Sequence, residues 1–225
     1  MNFQSEKKLV LNFYNDLQKC ENEQLVNVLS KYCAEDILWR GFHPFNEING
    51  IENLYFRFWQ PYRKSFTNFQ RRMDIFFAGI NTISSKNDVW VVSMGHLMGL
   101  FDYNWLDITC TKKIAMLRYC EFMKVDNGKI TQIAMFFDLP HLMLQAGIKL
   151  FPLETGISLV QPGPLLNNGL MFKKQNAYQG QKTMKIIDNM IKDVKIWKNF
   201  DRKKIIEELK NCWNEDMIWW GPTGI

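Results

Sequence analysis

The sequence predicts an α+β domain: N-terminal helices packed on a curved antiparallel sheet, cone-shaped, followed by a partial second repeat. Three observations predict it. Apolar residues recur at helical spacing through the first 33 positions. From Gln70 the period changes to two. Residues Lys113 to Asp138 then read as two long strands joined at Asn127-Gly128, the pair best able to take the two positive φ values of a type I′ turn.

Taken in order, residues 5–19 place Leu9, Val10, Phe13 and Leu17 on one helical face, with Ser5 as the candidate cap. A second helix over about 22–33 carries Leu25, Val28, Leu29 and Tyr32, and Glu35–Arg40 reads as a short strand. A third helix opens near Gly50 and is densely aromatic, with Tyr55, Phe56, Phe58, Trp59, Tyr62 and Phe66. Pro61 is expected to kink or end it, because proline has no amide hydrogen and crowds the preceding turn. Arg72, Asp74, Phe76 and Ala78 then alternate with Met73, Ile75, Phe77 and Gly79, as on the two faces of a strand. The next strand, VWVVSMGHLMGLF, carries His96 near its middle, with Gly95 and Gly99 on the other parity marking a bulge or bend. After the hairpin, Asp138-Leu139-Pro140-His141 opens a short helix that stops at Gly147.

A connecting segment rich in Pro and Gly runs over 151–179 and separates a domain at 1–150 from the partial repeat at 180–225. Shifted by 180 positions, Leu29, Glu35, Asp36, Trp39 and Gly41 meet Leu209, Glu215, Asp216, Trp219 and Gly221. A shift of 177 pairs Leu9 with Ile186 and Leu17 with Val194. The order helix, helix, strand therefore starts again and stops short, as in a truncated tandem repeat.

Composition bounds the function. Hydrophobic residues at 47% and aromatics at 14%, with 17 Phe and 8 Trp, suit a globular chain with a bulky core or a lined cavity. No run of 18 apolar residues spans a membrane and the polar start is not a signal peptide, so a cytoplasmic location is expected. The five cysteines form no CxxC pair and are read as reduced, buried thiols. Residues 173–210 hold eleven Lys/Arg against five Asp/Glu, which accounts for the net charge of +5. These lysines alternate with acids on helical faces, a solvated surface, and no nucleic-acid or membrane partner is assigned. Three separated histidines, His43, His96 and His141, without HxH or HExxH spacing argue against a metal. Phosphate loops, GxGxxG and GxSxG are missing, so no cofactor is expected.

Five stretches carry a family resemblance: FRFWQPYRKSFTNFQRRMD (56–74), GHLMGLF (95–101), LRYCEFMKVDNGKI (117–130), FFDLPHLMLQAG (136–147) and PGP (162–164). In order and spacing they resemble the SnoaL-like polyketide cyclases and ester-cyclase-like relatives of the nuclear transport factor 2-like superfamily. The resemblance implies a curved sheet around a hydrophobic pocket, often in tandem copies, and sheet or helix pairing into a homodimer. It also implies cofactor-independent acid/base chemistry, an aldol-type cyclisation or isomerisation, run by an aspartate at the end of the last strand. Asp138 is the position that matches. The superfamily also holds non-catalytic binding proteins, so the fold leaves both readings open.

Each candidate has two readings. Asp138 is a general base if burial beside Met135, Phe136 and Phe137 disfavours its ionised form; it is a helix cap if it accepts amide hydrogens from the LPHL turn. His96 polarises a carbonyl or relays a proton, or is a satisfied core histidine. Arg118 holds a substrate carboxylate or enolate, or pairs with Asp74 or Glu121. Arg118 and Glu121 have opposite parity, so they face opposite sides. Trp39, Tyr55, Phe58, Trp59 and Trp105 line a pocket for a small hydrophobic ligand, with Glu121 among them, or form plain core.

Overall fold

The computed structural model of the protein describes residues 3–81, 87–150, 166–196 and 201–217. The chain divides into two compact units, one ending at Lys174 and one beginning at Gln175.

In the first unit, α1 (Gln4–Lys19) and α2 (Leu25–Tyr32) precede β1 (Cys33–Arg40) and the short β2 (Glu47–Asn49). Ser5 does not cap α1: the N-cap is Phe3, and the Ser5 hydroxyl bonds Glu6 instead. The aromatic helix comprises α3 (Ile51–Leu54), a π-helical turn (Tyr55–Trp59) and α4 (Gln60–Ser65). Pro61 neither ends nor breaks it. The wider π turn precedes it, and proline sits in the first turn of α4, where a missing amide hydrogen costs nothing.

Four long strands follow: β3 (Phe66–Ile80), β4 (Val89–Phe101), β5 (Ile114–Asp126) and β6 (Lys129–Phe137). The sheet order is β2-β1-β6-β5-β4-β3. The four long strands are antiparallel as expected, but β1 lies parallel to β6, so the sheet is mixed. The β1 segment reaches β6 only through a crossover that runs from Arg40 to Lys129, which the strand pattern alone does not encode. Asn127 (φ 48°) and Gly128 (φ 74°) form the expected tight turn. After β6, α5 (Leu139–Gln145) ends at Gly147 with φ 83°, where the Ile148 amide donates to Met143 O at 2.9 Å.

The phase of β3 differs from simple alternation. Arg71 registers with Leu97 and Arg72 with His96, yet Phe76 registers with Ser93, because a bulge between Met73 and Ile75 takes up one residue. Arg71 and Phe76, of opposite parity, therefore share the helix-covered face. Gly95 makes this possible: a Cβ there would lie 2.0 Å from Arg72 O, so the two backbones approach too closely for any side chain.

The core fills the face of the sheet that α1–α4 cover. Val91, Ser93 and Leu97 of β4, Leu117, Tyr119 and Glu121 of β5, and Ile133, Met135 and Phe137 of β6 are all buried there. The segment around Gly169–Met171 runs along the free edge of β3. The Phe76 amide donates to Gly169 O at 2.8 Å and Met171 N–H donates to Phe76 O at 2.7 Å. The Lys7 ammonium ties this segment to α1 through Met171 O at 2.5 Å and Lys173 O at 3.2 Å.

In the second unit, α6 (Ala177–Ile196) and α7 (Arg202–Cys212) are formed, and Asp201 caps α7 as expected by accepting Lys203 N–H at 2.9 Å. Ile186, Ile187, Ile191, Val194, Ile206 and Leu209 are exposed, whereas Val10, Phe13, Leu25 and Leu29 of α1 and α2 are fully buried. The described residues of this unit, which end at Met217, carry no strand, and Trp219 and Gly221 of the proposed repeat lie outside the described residues, as does PGP (162–164).

Candidate functional site

The sheet separates the residues singled out in the sequence into two groups. Asp138, His96 and Arg118 come together on the face away from α1–α4, where α5 begins. Trp39, Phe58, Trp59, Trp105 and Glu121 come together on the face beneath α1–α4.

On the outer face, register places Arg72, His96 and Arg118 side by side on β3, β4 and β5. His96 is 5% exposed; its Nδ1 lies 3.5 Å from Asp74 Oδ2, and its Nε2 is buried without a hydrogen-bond partner. The Asp138 amide donates to Arg118 O at 3.0 Å, and Arg118 Nη1 stands 4.0 Å from Asp138 Oδ2. Arg118 therefore pairs with neither Asp74 nor Glu121. Asp138 is the N-cap of α5: its Oδ1 accepts the His141 amide at 3.1 Å. The cap reading is realised, and the carboxylate is buried as the base reading requires. The result is a polar row, Asp74–His96–Arg118–Asp138, across four adjacent strands.

On the helix-covered face the aromatic side chains pack on one another. Phe58 stacks on Trp39 at 5.1 Å and on Phe137 at 5.3 Å, and meets Trp59 edge-on at 5.0 Å. Tyr62 meets Trp105 at 5.3 Å. Tyr55 is apart from this group: it is half-buried, packs on Phe56, and its hydroxyl accepts from Gln60 Nε2 at 3.2 Å. The polar atoms of this interior are not matched by partners. Nε1 of Trp39, Trp59 and Trp105 and the Tyr62 hydroxyl are all buried with no hydrogen-bond partner. Native interiors leave few such groups unpaired, so a cluster of them calls for a physical account.

Beside the aromatic group lies a charged one. Arg71 Nη1 meets Glu121 Oε2 at 2.8 Å, with side chains 2% and 0% exposed. The Tyr14 hydroxyl donates to the same Oε2 at 2.7 Å. The guanidinium lies over the Tyr14 ring at 3.8 Å and the Tyr119 ring at 4.5 Å, and the Tyr119 hydroxyl bonds Ser93 at 2.8 Å. Burial works against the Arg71 charge, but the Glu121 carboxylate, then the two tyrosines, outweigh it and hold the guanidinium protonated. Burial first, and Glu121 second, push the Tyr14 hydroxyl well above its ordinary range, so it stays a donor. Arg71, Tyr14, Tyr119 and Ser93 were not singled out in the sequence. The one signal for Arg71 is Gly95, which marks the bulge that turns Arg71 inward.

Cys33 and Cys120 are poor nucleophiles. Burial lifts the Cys33 thiol to about 12 and the Cys120 thiol to about 11, so both stay protonated near neutrality. Among the described residues no three His, Cys, Asp or Glu side chains are placed to hold a metal ion.

No protein-family model matches the sequence, and no curated protein matches it. Among solved structures the chain is similar to SnoaL-like polyketide cyclases and nuclear transport factor 2-like proteins, at low identity and over most of those chains. A candidate SnoaL-like polyketide cyclase from Jannaschia sp. is 15% identical, with 67% of this chain and 95% of that one covered at a TM-score of 0.49. A candidate polyketide cyclase from Xanthomonas campestris pv. campestris is 15% identical, with 65% and 99% covered at 0.46. A nuclear transport factor 2-like protein from Burkholderia thailandensis is 16% identical, with 63% and 96% covered at 0.45.

Proposed function

We propose that the first unit is a small-molecule-binding domain that holds an apolar, oxygen-bearing ligand on the helix-covered face of its sheet. One observation carries this reading: three indole N–H groups and one phenol, on Trp39, Trp59, Trp105 and Tyr62, are buried in one aromatic cluster without acceptors. An indole N–H can only donate, so a ligand that satisfies this wall must bring acceptors. Mass spectrometry of organic extracts from the purified full-length protein, together with fluorescence enhancement of the neutral probe 1-aminoanthracene, tests it. Saturable enhancement that falls at least about tenfold in affinity in Trp59→Phe/Trp105→Phe supports the reading. A full-length protein that carries no extractable small molecule and gives no enhancement refutes it.

A second reading, cofactor-independent acid/base chemistry of the cyclase or isomerase type, is favoured by the polar row. Asp74 faces Nδ1 of His96 and leaves the buried Nε2 for a proton or a developing oxyanion, beside Arg118 and Asp138. In this reading His96 is the acid/base, Arg118 stabilises negative charge, and Asp138 is the base that the resemblance matches. Asp138→Asn keeps the cap and removes the base. Unchanged turnover of the extracted ligand in that variant takes Asp138 out of the mechanism.

We further propose that 1–150 is the cone-fold domain, 151–179 a connecting segment whose Gly169–Met171 part is laid along β3, and 180–225 the start of a second copy. The exposed Ile187, Val194 and Leu209 of α6 and α7, set against their buried counterparts Val10, Leu17 and Leu29 in α1 and α2, support this division. A homodimer is the proposed assembly; a concentration-independent monomer by light scattering refutes it.

A further inference from the structure

Two buried atoms of the charged group have no partner: Nη2 of Arg71 and Oε1 of Glu121. They belong to side chains already joined through Nη1 and Oε2 at 2.8 Å, so they flank a single contact. Neighbouring hydroxyls do not fill them: Tyr14 donates to the other carboxylate oxygen, and the Tyr119 hydroxyl, which bonds Ser93 and also interacts with the guanidinium, leaves Nη2 without a well-formed hydrogen bond. The guanidinium is held against the Tyr14 and Tyr119 rings. Replacing the pair by apolar residues would cost such a core little, and yet it is present with one donor and one acceptor unfilled.

We propose that Arg71 and Glu121 form the polar anchor of the interior ligand site and select a neutral molecule with an acceptor beside a donor, such as a carboxamide or an α-hydroxy carbonyl. The inference rests on the interior-ligand reading above. Nη2 can only donate and an ionised Oε1 can only accept, so one ligand must offer both functions. The pair is neutral as a whole. An anion or a cation added beside it brings a charge into a dry interior with no counter-charge, and the cost of that desolvation falls on binding. The anchor thus selects by charge as well as by hydrogen-bond pattern.

Benzamide, benzoate and benzamidine are nearly isosteric and differ in charge, and calorimetric titration of each into the full-length protein tests the anchor. Benzamide is expected to bind at least about tenfold more tightly than either ion. Arg71→Met/Glu121→Met removes both charges together and keeps the volume; folded by circular dichroism, it is expected to lose benzamide affinity by at least about tenfold. Glu121→Gln keeps the shape and leaves the guanidinium unpaired, and is expected to reverse the preference toward benzoate. Equal binding of the three probes, tighter binding of either ion to the native protein, undiminished benzamide binding in the double variant, or an unchanged order in Glu121→Gln overturns the anchor. If 1-aminoanthracene still binds in that event, the interior reading stands without it. If neither the three probes nor the dye binds, both fall and the unpaired atoms are held by water alone.

Discussion

Arg71 and Glu121, fifty positions apart, meet at 2.8 Å beneath the helices with almost no exposed surface, and neither is fully hydrogen-bonded. A buried pair of this kind is strongly cooperative. Glu121→Ala or Arg71→Ala strands the other charge in the core and is expected to destabilise the first unit by about 3–5 kcal/mol, whereas the double replacement by methionine lies within about 1–2 kcal/mol of the native protein. Urea denaturation of the three variants measures this; additive effects would mean the side chains act independently.

At the end of β6, Asp138 serves the backbone. Asp138→Ala leaves the His141 amide without its acceptor and is expected to cost about 0.5–2 kcal/mol, while Asp138→Asn retains the cap and stays within about 0.5 kcal/mol. Thermal melts of both decide it: equal losses would show that charge, not capping, is what the fold uses.

Gly95 tolerates no side chain. A Cβ 2.0 Å from Arg72 O has to push β3 and β4 apart at the bulge, so Gly95→Ala is expected to cost upwards of about 2 kcal/mol. Gly128→Ala meets nothing within 4 Å and strains only the turn, so its loss should be smaller. Chemical denaturation of the two variants side by side provides the comparison.

Acid should weaken the contact between α1 and α2. Hydrogen bonds from Lys31 first and Tyr32 second lower the Asp16 pKa below its ordinary value. A folded pKa below the unfolded one gives stability that is present above about pH 4 and is lost as the pH falls through the folded value. Asp16→Asn is therefore expected to flatten the acid limb of the stability curve and leave its slope near neutrality unchanged. Midpoints measured from pH 2 to 7 check the sign.

Thiol chemistry should follow burial. With Cys33 near 12 and Cys120 near 11, the thiolate fraction at pH 8 is on the order of one in a thousand or less for each. Disulfide-exchange labelling of the native protein is expected to modify the half-exposed Cys110 and Cys212 well before Cys33 and Cys120, and mass spectrometry locates the sites.

The parts legible in the sequence are those written in local chemistry. Asn127-Gly128 dictates its turn, the β4 run keeps its bounds from Val89 to Phe101, and Asp138 two residues before Pro140 already carries the cap geometry as one of its readings. What was not legible depends on two irregularities in β3, one between Thr67 and Gln70 and one between Met73 and Ile75. The bulge between Met73 and Ile75 changes the phase of β3, and with it turns Arg71 inward and hands Asp74 to His96 rather than to Arg118. The division of the candidate residues between two faces was legible only in part: parity separates Arg118 from Glu121, but only the helix contacts, such as Tyr14 on Glu121, say which face is covered.

The segment laid along β3 also bears on how the molecule behaves in company. A sheet ends in rows of open amides and carbonyls that invite any extended chain to continue it. Here Gly169–Met171 occupies that position on one side, fastened by Lys7, and the three-residue β2 leaves scarcely any length on the other. Each border is thus interrupted, at Phe76 on one side and at Leu38–Arg40 on the other, and strand-to-strand addition between copies of this domain is hindered there. Its solubility at high concentration should therefore depend on the Lys7 clamp as much as on surface charge.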